Sequence, residues 1–384
     1  MATPASQPPE TPVFDIRIEA GDLEAVAEVL RSGWLSAGPQ TEAFEREFAA
    51  QLGCRHVVAL SSGTAALHLA CLAAGVGEGD EVIVPSVTFA ATANAVLYCE
   101  ATPVFADIVG ERDLNIDPVE IERRITPRTK AVIVVHYAGY PVAIERIAEL
   151  CRDRGITLIE DAAHAPSATV AGRKLGTFGL AGCFSFFSNK VLACGEGGAL
   201  ATDSDEVAER VRLLSSQGMT TTTRDRDLGR AMTYDVRALG FNYRMDDPRA
   251  ALLRSRLAPL EDEIARRREV VLRYRELLAE VPGLFMPWEE DDVAHSSCYM
   301  AAVLVEDQEG REPLRRALRE RHGVQTTVYP AVHELTVYRQ RFPGLSLPVT
   351  ETAARSLFSI PLFTHMTDSD QERVAAALRA ELAG

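Results

Sequence analysis

The chain has 384 residues, 47% of them hydrophobic and 25% charged, with a formal net charge of −15. That length can bury two or three domains, or one large domain with a smaller companion. The acidic balance argues against a nucleic-acid surface and against anionic membranes, but leaves room for a local pocket that takes a phosphorylated ligand.

Residues 1–12, rich in Pro, Ser, Thr and Ala, read as a disordered tail without the apolar stretch of a secretory signal. Helical spacing of apolar residues follows over 21–33 and 41–52. From residue 57 the rhythm changes, with short apolar runs at 57–60, 81–84, 102–105, 131–135 and 157–159. Helical patterns over 65–74, 90–99 and 142–153 separate them. This alternation predicts an α/β large domain with a mostly parallel sheet buried on both faces.

Residues 216–243 form a long polar segment without periodicity, and loops of that length are more often functional or interfacial than idle. Asp247-Pro248 marks a helix start, and a charged helical pattern runs on to residue 281. Beyond it, strands are predicted over 299–305 and 324–328, and helices over 311–321, 350–357 and 368–382. The expected division is a tail over 1–12, a large domain over 13–246, a linking helix over 247–281 and a smaller C-terminal α/β domain over 282–384.

The seven cysteines are scattered and contain no C-x-x-C pair, which suits reduced thiols in a cytoplasmic protein and no metal site. No run approaches the 18 apolar residues of a membrane span.

The most informative residue is Lys190. It follows the apolar run Cys183–Phe187 and precedes the glycine-rich turn Gly195-Glu196-Gly197-Gly198. Upstream, another apolar run ends in Glu160-Asp161-Ala162-Ala163-His164. A carboxylate at one strand end and a lysine at the next is the layout of a pyridoxal phosphate (PLP) site, where lysine holds the aldehyde and the carboxylate keeps the pyridine nitrogen protonated. Taken singly, Lys190 also reads as a surface charge and Asp161 as a helix cap. Ser61-Ser62-Gly63-Thr64 follows a predicted strand and opens a helix. It reads equally well as a phosphate cradle or an ordinary capped turn. Phe89 stands at the next strand-to-helix corner, able to stack on a flat cofactor or simply to fill a core. His164 lies one turn past Asp161 and is as readily a buried core histidine as a ligand contact.

Together these segments resemble the DegT-type nucleotide-sugar aminotransferases, PLP enzymes with the aspartate-aminotransferase fold. The similarity runs from about Phe14 to Leu382. It is carried, in order, by Ser32–Pro39, Ser62–Leu67, Pro85–Phe89, Glu160–Ala165, Gly182–Lys190, Gly195–Gly198, Gly240–Met245 and Tyr329–His333. The chain departs from the family pattern at Leu180, where Asp is common, and at Val328, which runs directly into Tyr329.

The resemblance implies a role for each matching position. Lys190 matches the Schiff-base lysine, Asp161 the carboxylate on the pyridine nitrogen, and His164 the position beside the phenolic oxygen. Phe89 matches the stacked aromatic, and Gly63, Thr64 and Ser185 match the phosphate cradle. Asn242 matches an asparagine that reaches the phosphate of the neighbouring subunit, which implies a homodimer with shared sites. The implied reaction moves an amino group from an amino acid, L-glutamate by expectation, to a keto-sugar on a nucleotide diphosphate. A related PLP enzyme acting on a cyclitol or an aromatic precursor is an alternative. A dehydratase of the same family would carry histidine in place of Lys190. A non-catalytic PLP-binding regulator would usually add a DNA-binding module, of which the chain shows no sign.

Overall fold

The computed structural model describes residues 10–221 and 223–383. The first part of the chain gives α1 (Ala20–Ser32), α2 (Pro39–Leu52), β1 (His56–Leu60), α3 (Gly63–Ala73), β2 (Glu81–Pro85), α4 (Ala91–Tyr98) and β3 (Thr102–Ala106). It continues with β4 (Thr129–Val135), α5 (Ile144–Arg154), β5 (Thr157–Asp161), β6 (Ala181–Ser185), β7 (Gly198–Thr202) and α6 (Asp205–Ser215).

The seven strands form one sheet in the order β1-β7-β6-β5-β4-β2-β3. All neighbours are parallel except β7, which runs antiparallel to both β1 and β6. The apolar runs are continuous because helices cover both faces: Ala131 to Val134 on β4 are wholly buried. This is the α/β class expected, with a mostly parallel central sheet.

Helix α2 shows how packing aims one strand. Pro39 opens it at a position where no intrahelical N–H is lost. Phe44 and Phe48 are fully buried, and their rings stack with centroids 5.5 Å apart. They meet Phe186 and Phe184 edge-on at 5.4 and 5.1 Å. Burying each ring contributes roughly 2–3 kcal/mol, and this cluster seats the segment that leads to Lys190.

The rest of the chain gives α7 (Asp247–Leu257), α8 (Leu260–Leu278), β8 (Leu284–Phe285), β9 (Ala301–Val305), α9 (Arg311–His322), α10 (Pro348–Ser356), β10 (Leu357–Ile360) and α11 (Asp368–Leu382). Strands β8, β9 and β10 pair antiparallel in a second, smaller sheet.

Several local expectations are corrected. The single helix expected over 247–281 is two helices parted at Pro259, whose missing N–H and bulky ring stop α7 from continuing into α8. The strand expected over 324–328 is extended chain with split partners: Val324 bridges Thr11 and Thr327 bridges Ser359, so no ladder forms. Of the tail expected over 1–12, residues 1–9 lie outside the described residues. Thr11 is buried, donating its N–H to Gly323 at 2.8 Å and accepting from Gln325 at 3.0 Å. The segment 216–243 carries a short helix at Thr223–Asp227, and backbone bridges join Ser216 to Asn242 and Met219 to Val236.

Candidate active site

The sheet brings the sequence candidates to one edge. β5 and β6 are parallel neighbours, with Cys183 opposite Asp161. β5 ends at Asp161 and β6 at Ser185. A turn closed by the Lys190 N–H on the Phe187 carbonyl (2.8 Å) then delivers Lys190. The β1–α3 and β2–α4 turns open at the same edge, the carboxyl ends of the parallel strands, where open α/β sheets bind ligands. A cavity of about 310 Å³ there is lined by Gly63, Thr64, Phe89, Asp161, His164, Ser185 and Lys190. Asn242 is exposed and does not line it.

Ser62 caps α3, its Oγ accepting the Ala65 N–H at 3.1 Å. The helix therefore starts two residues earlier than its apolar spacing suggests, and Ser62, Gly63 and Thr64 line the cavity. Gly63 is required by packing, because a Cβ there would come within 2.9 Å of Ser185 Cβ. A helix N-terminus beside small side chains at a cavity is a setting that suits an anion. Phe89, 61% exposed, presents its ring at the cavity.

Asp161 is buried. Its Oδ2 accepts from Thr92 Oγ1 at 2.8 Å and its Oδ1 from the Ala163 N–H at 3.2 Å. Burial pushes its carboxyl up, and the Thr92 hydroxyl, the Ala163 amide, Lys190 and His136 pull it back. Lys190 has its amine lowered to about 7 by loss of water, against the pull of Asp161. Its Nζ lies 4.3 Å from the centre of the Tyr299 ring. Burial, with Lys190 beside it, holds His164 well below its ordinary value, so the ring is neutral. It stacks on Tyr299 with centroids 4.2 Å apart.

Sequence reasoning missed three of these side chains. Thr92 reads as a small filler in an apolar helix, and its link to Asp161 spans 69 residues. Tyr299 reads as a strand residue, yet it reaches across to His164 and Lys190. Tyr329 was visible only inside a C-terminal motif. It lines the cavity, and its hydroxyl lies 3.2 Å from that of Tyr299.

The sequence matches the DegT/DnrJ/EryC1/StrS aminotransferase family over residues 17–379. The chain belongs to this aminotransferase family. It is 40% identical over 364 residues to the spore coat polysaccharide biosynthesis protein SpsC of Bacillus subtilis, covering 93% of each chain. The structure of NtdA from Bacillus subtilis with bound cofactor PMP superposes with a TM-score of 0.87 at 30% identity, covering 98% of this chain and 86% of that one. DesI, solved in the presence of its TDP-sugar product, gives a TM-score of 0.85 at 35% identity, covering 98% and 93%.

The chain is therefore a PLP-dependent aminotransferase, and its cavity fits that cofactor. His164 Nδ1 and Asn189 Oδ1 are buried without hydrogen-bond partners. Gly63 packs against Ser185 at the cavity with no room for a Cβ. An acid, an amine and an aromatic ring face the same space. Such orphaned polar atoms in a native site call for a polar occupant.

Proposed function

We propose that the enzyme moves an amino group from L-glutamate to a keto-sugar carried on a nucleotide diphosphate, in amino-sugar biosynthesis. The observation that carries the residue assignment is the meeting of Asp161, at the end of β5, and Lys190, in the turn after the neighbouring β6, around one cavity. The sugar-nucleotide class is supported by DesI, solved with its TDP-sugar product. When bound, PLP supplies an aldehyde that takes up the amino group and a pyridinium ring that draws electrons from the substrate carbon.

Lys190 is the anchor for the aldehyde. Once displaced, its Nζ would take the proton from the donor's Cα and deliver it to the cofactor carbon that had carried the aldehyde, and the reverse with the keto-sugar, a task suited to an amine poised near pH 7. Asp161 would hold the pyridine nitrogen, and His164 would hydrogen-bond the ring oxygen. Phe89 would cover the ring face, while Gly63, Thr64 and Ser185 would take the phosphate. Asn242 lies outside its own cavity, which supports a homodimer in which it serves the partner's site. Cysteines free of disulfides support a cytoplasmic setting.

The test is a mass-spectrometric screen of keto-sugar nucleotides, keto-cyclitols and aromatic ketones with PLP and ¹⁵N-glutamate. The label should enter the sugar nucleotide as 2-oxoglutarate forms. Label appearing only in keto-cyclitols or aromatic ketones would reassign the substrate class.

A further inference from the structure

Thr92 occupies the first turn of α4 and is completely buried. A hydroxyl there must find a partner, and it donates to Asp161 Oδ2 at 2.8 Å. Thr88 Oγ1 lies 2.8 Å from Thr92 Oγ1 and is buried too. Each hydroxyl has one proton. That of Thr92 is committed to the carboxylate, so Thr88 donates to Thr92. The chain Thr88 to Thr92 to Asp161 therefore points one way, and each link polarises the next. The other carboxylate oxygen takes the Ala163 N–H at 3.2 Å. Asp161 is thus gripped at both oxygens by groups of its own chain.

We propose that Thr92, polarised by Thr88, is a positioning residue that keeps Asp161 ionised and turned toward the pyridine nitrogen of the cofactor. This rests on the assignment of Asp161 to that nitrogen made above. Burial works against the charge on Asp161, and the Thr92 hydroxyl is the foremost group opposing it. The other groups facing it do less. Lys190 and His136 act at a distance, without a hydrogen bond to it. His164 is kept neutral by burial. Cys183, opposite in register, has its thiol pushed well up by burial and the nearby carboxylates. A carboxylic acid in place of the carboxylate would leave the ring nitrogen without its counter-charge and weaken the ring as an electron sink.

The experiment compares binding of PLP and of its analogue with CH in place of the ring nitrogen, to protein stripped of cofactor. Wild type should prefer PLP, and Asp161→Asn should erase the preference. Thr92→Val keeps the shape but removes the donor. It should shrink the preference by about tenfold or more, the scale of a charge-assisted hydrogen bond. Thr92→Ser should keep the preference near wild type, and Thr88→Val should reduce it by less than Thr92→Val. If Thr92→Val weakens both ligands equally, or leaves the ratio unchanged, while Asp161→Asn erases it, Thr92 serves packing only and the proposal falls. If Asp161→Asn keeps the preference, the assignment of Asp161 falls first and takes this proposal with it.

Discussion

Lys190 must be neutral to take up an aldehyde, yet a lysine in water stays charged until about pH 10.4. Here burial lowers its amine to about 7. The sign follows directly: below that pH the amine is protonated and inert, above it neutral and reactive. The rate of PLP attachment to cofactor-free protein should therefore rise through about pH 7 and level off beyond it, as followed by absorbance. A rise delayed to pH 10 would contradict the lowered basicity. Lys190→Ala should abolish transamination, and borohydride reduction of wild type should leave the cofactor on the peptide bearing Lys190. Asp161→Asn should still bind PLP but lose on the order of 10²-fold or more in turnover, because an amide cannot hold the pyridine nitrogen protonated. Near-normal turnover would refute that role. The meeting of Lys190 and Asp161 at one cavity was legible in the sequence because Asp161 ends an apolar run and Lys190 closely follows the next, at the edge where parallel strands display ligand sites. Thr92, Tyr299 and the neutral state of His164 were not. They depend on contacts between segments far apart in the chain, and no local pattern encodes those.

At the scale of elements, the alternation of β-branched runs and helical patterns was enough to foresee the parallel sheet. Its one antiparallel member, β7, was not foreseeable, since direction in a sheet is set by connections rather than by composition. The break at Pro259 was visible as a residue but masked by the charged helical rhythm on both sides of it. One element carries a stability prediction. Asp247 at the start of α7 is buried and caps a different helix, α2. It accepts the Gly38 N–H at 2.8 Å, the Thr41 N–H at 3.0 Å, the Gln40 N–H at 3.1 Å and the Thr41 hydroxyl at 2.7 Å. Asp247→Ala would leave these buried donors unpaired and remove a negative charge from the positive end of a helix. A loss of about 3 kcal/mol in unfolding free energy is expected, with Asp247→Asn intermediate because one oxygen remains. Urea denaturation measures it, and a loss below about 0.5 kcal/mol for the alanine variant would show the cap to be dispensable.

At the scale of the whole molecule, the cavity is an incomplete container for an anion. Among the described residues Lys190 is the only lysine or arginine lining it, and in the proposed function that amine serves the aldehyde end. The phosphate would have the α3 terminus and small side chains, and in the proposed dimer further donors would come from the second copy. The segment 216–243 offers a source: it ends at the exposed Asn242 and carries Met232 and Leu239 at 95% and 94% exposure. Apolar side chains that open to water are what a second copy would cover. A homodimer in which Asn242 serves the partner's cavity is therefore expected. Mixing Lys190→Ala subunits with Asn242→Ala subunits tests it. If Asn242 crosses the interface, one site of each mixed dimer collects both lesions and the other collects neither. Activity should then reappear above the average of the two parents, once subunit exchange has been verified by mass. If Asn242 works within its own chain, every site of the mixed dimer keeps one lesion and the mixture gains nothing. That result, with exchange verified, would rule out the shared site and require another source of donors for the phosphate.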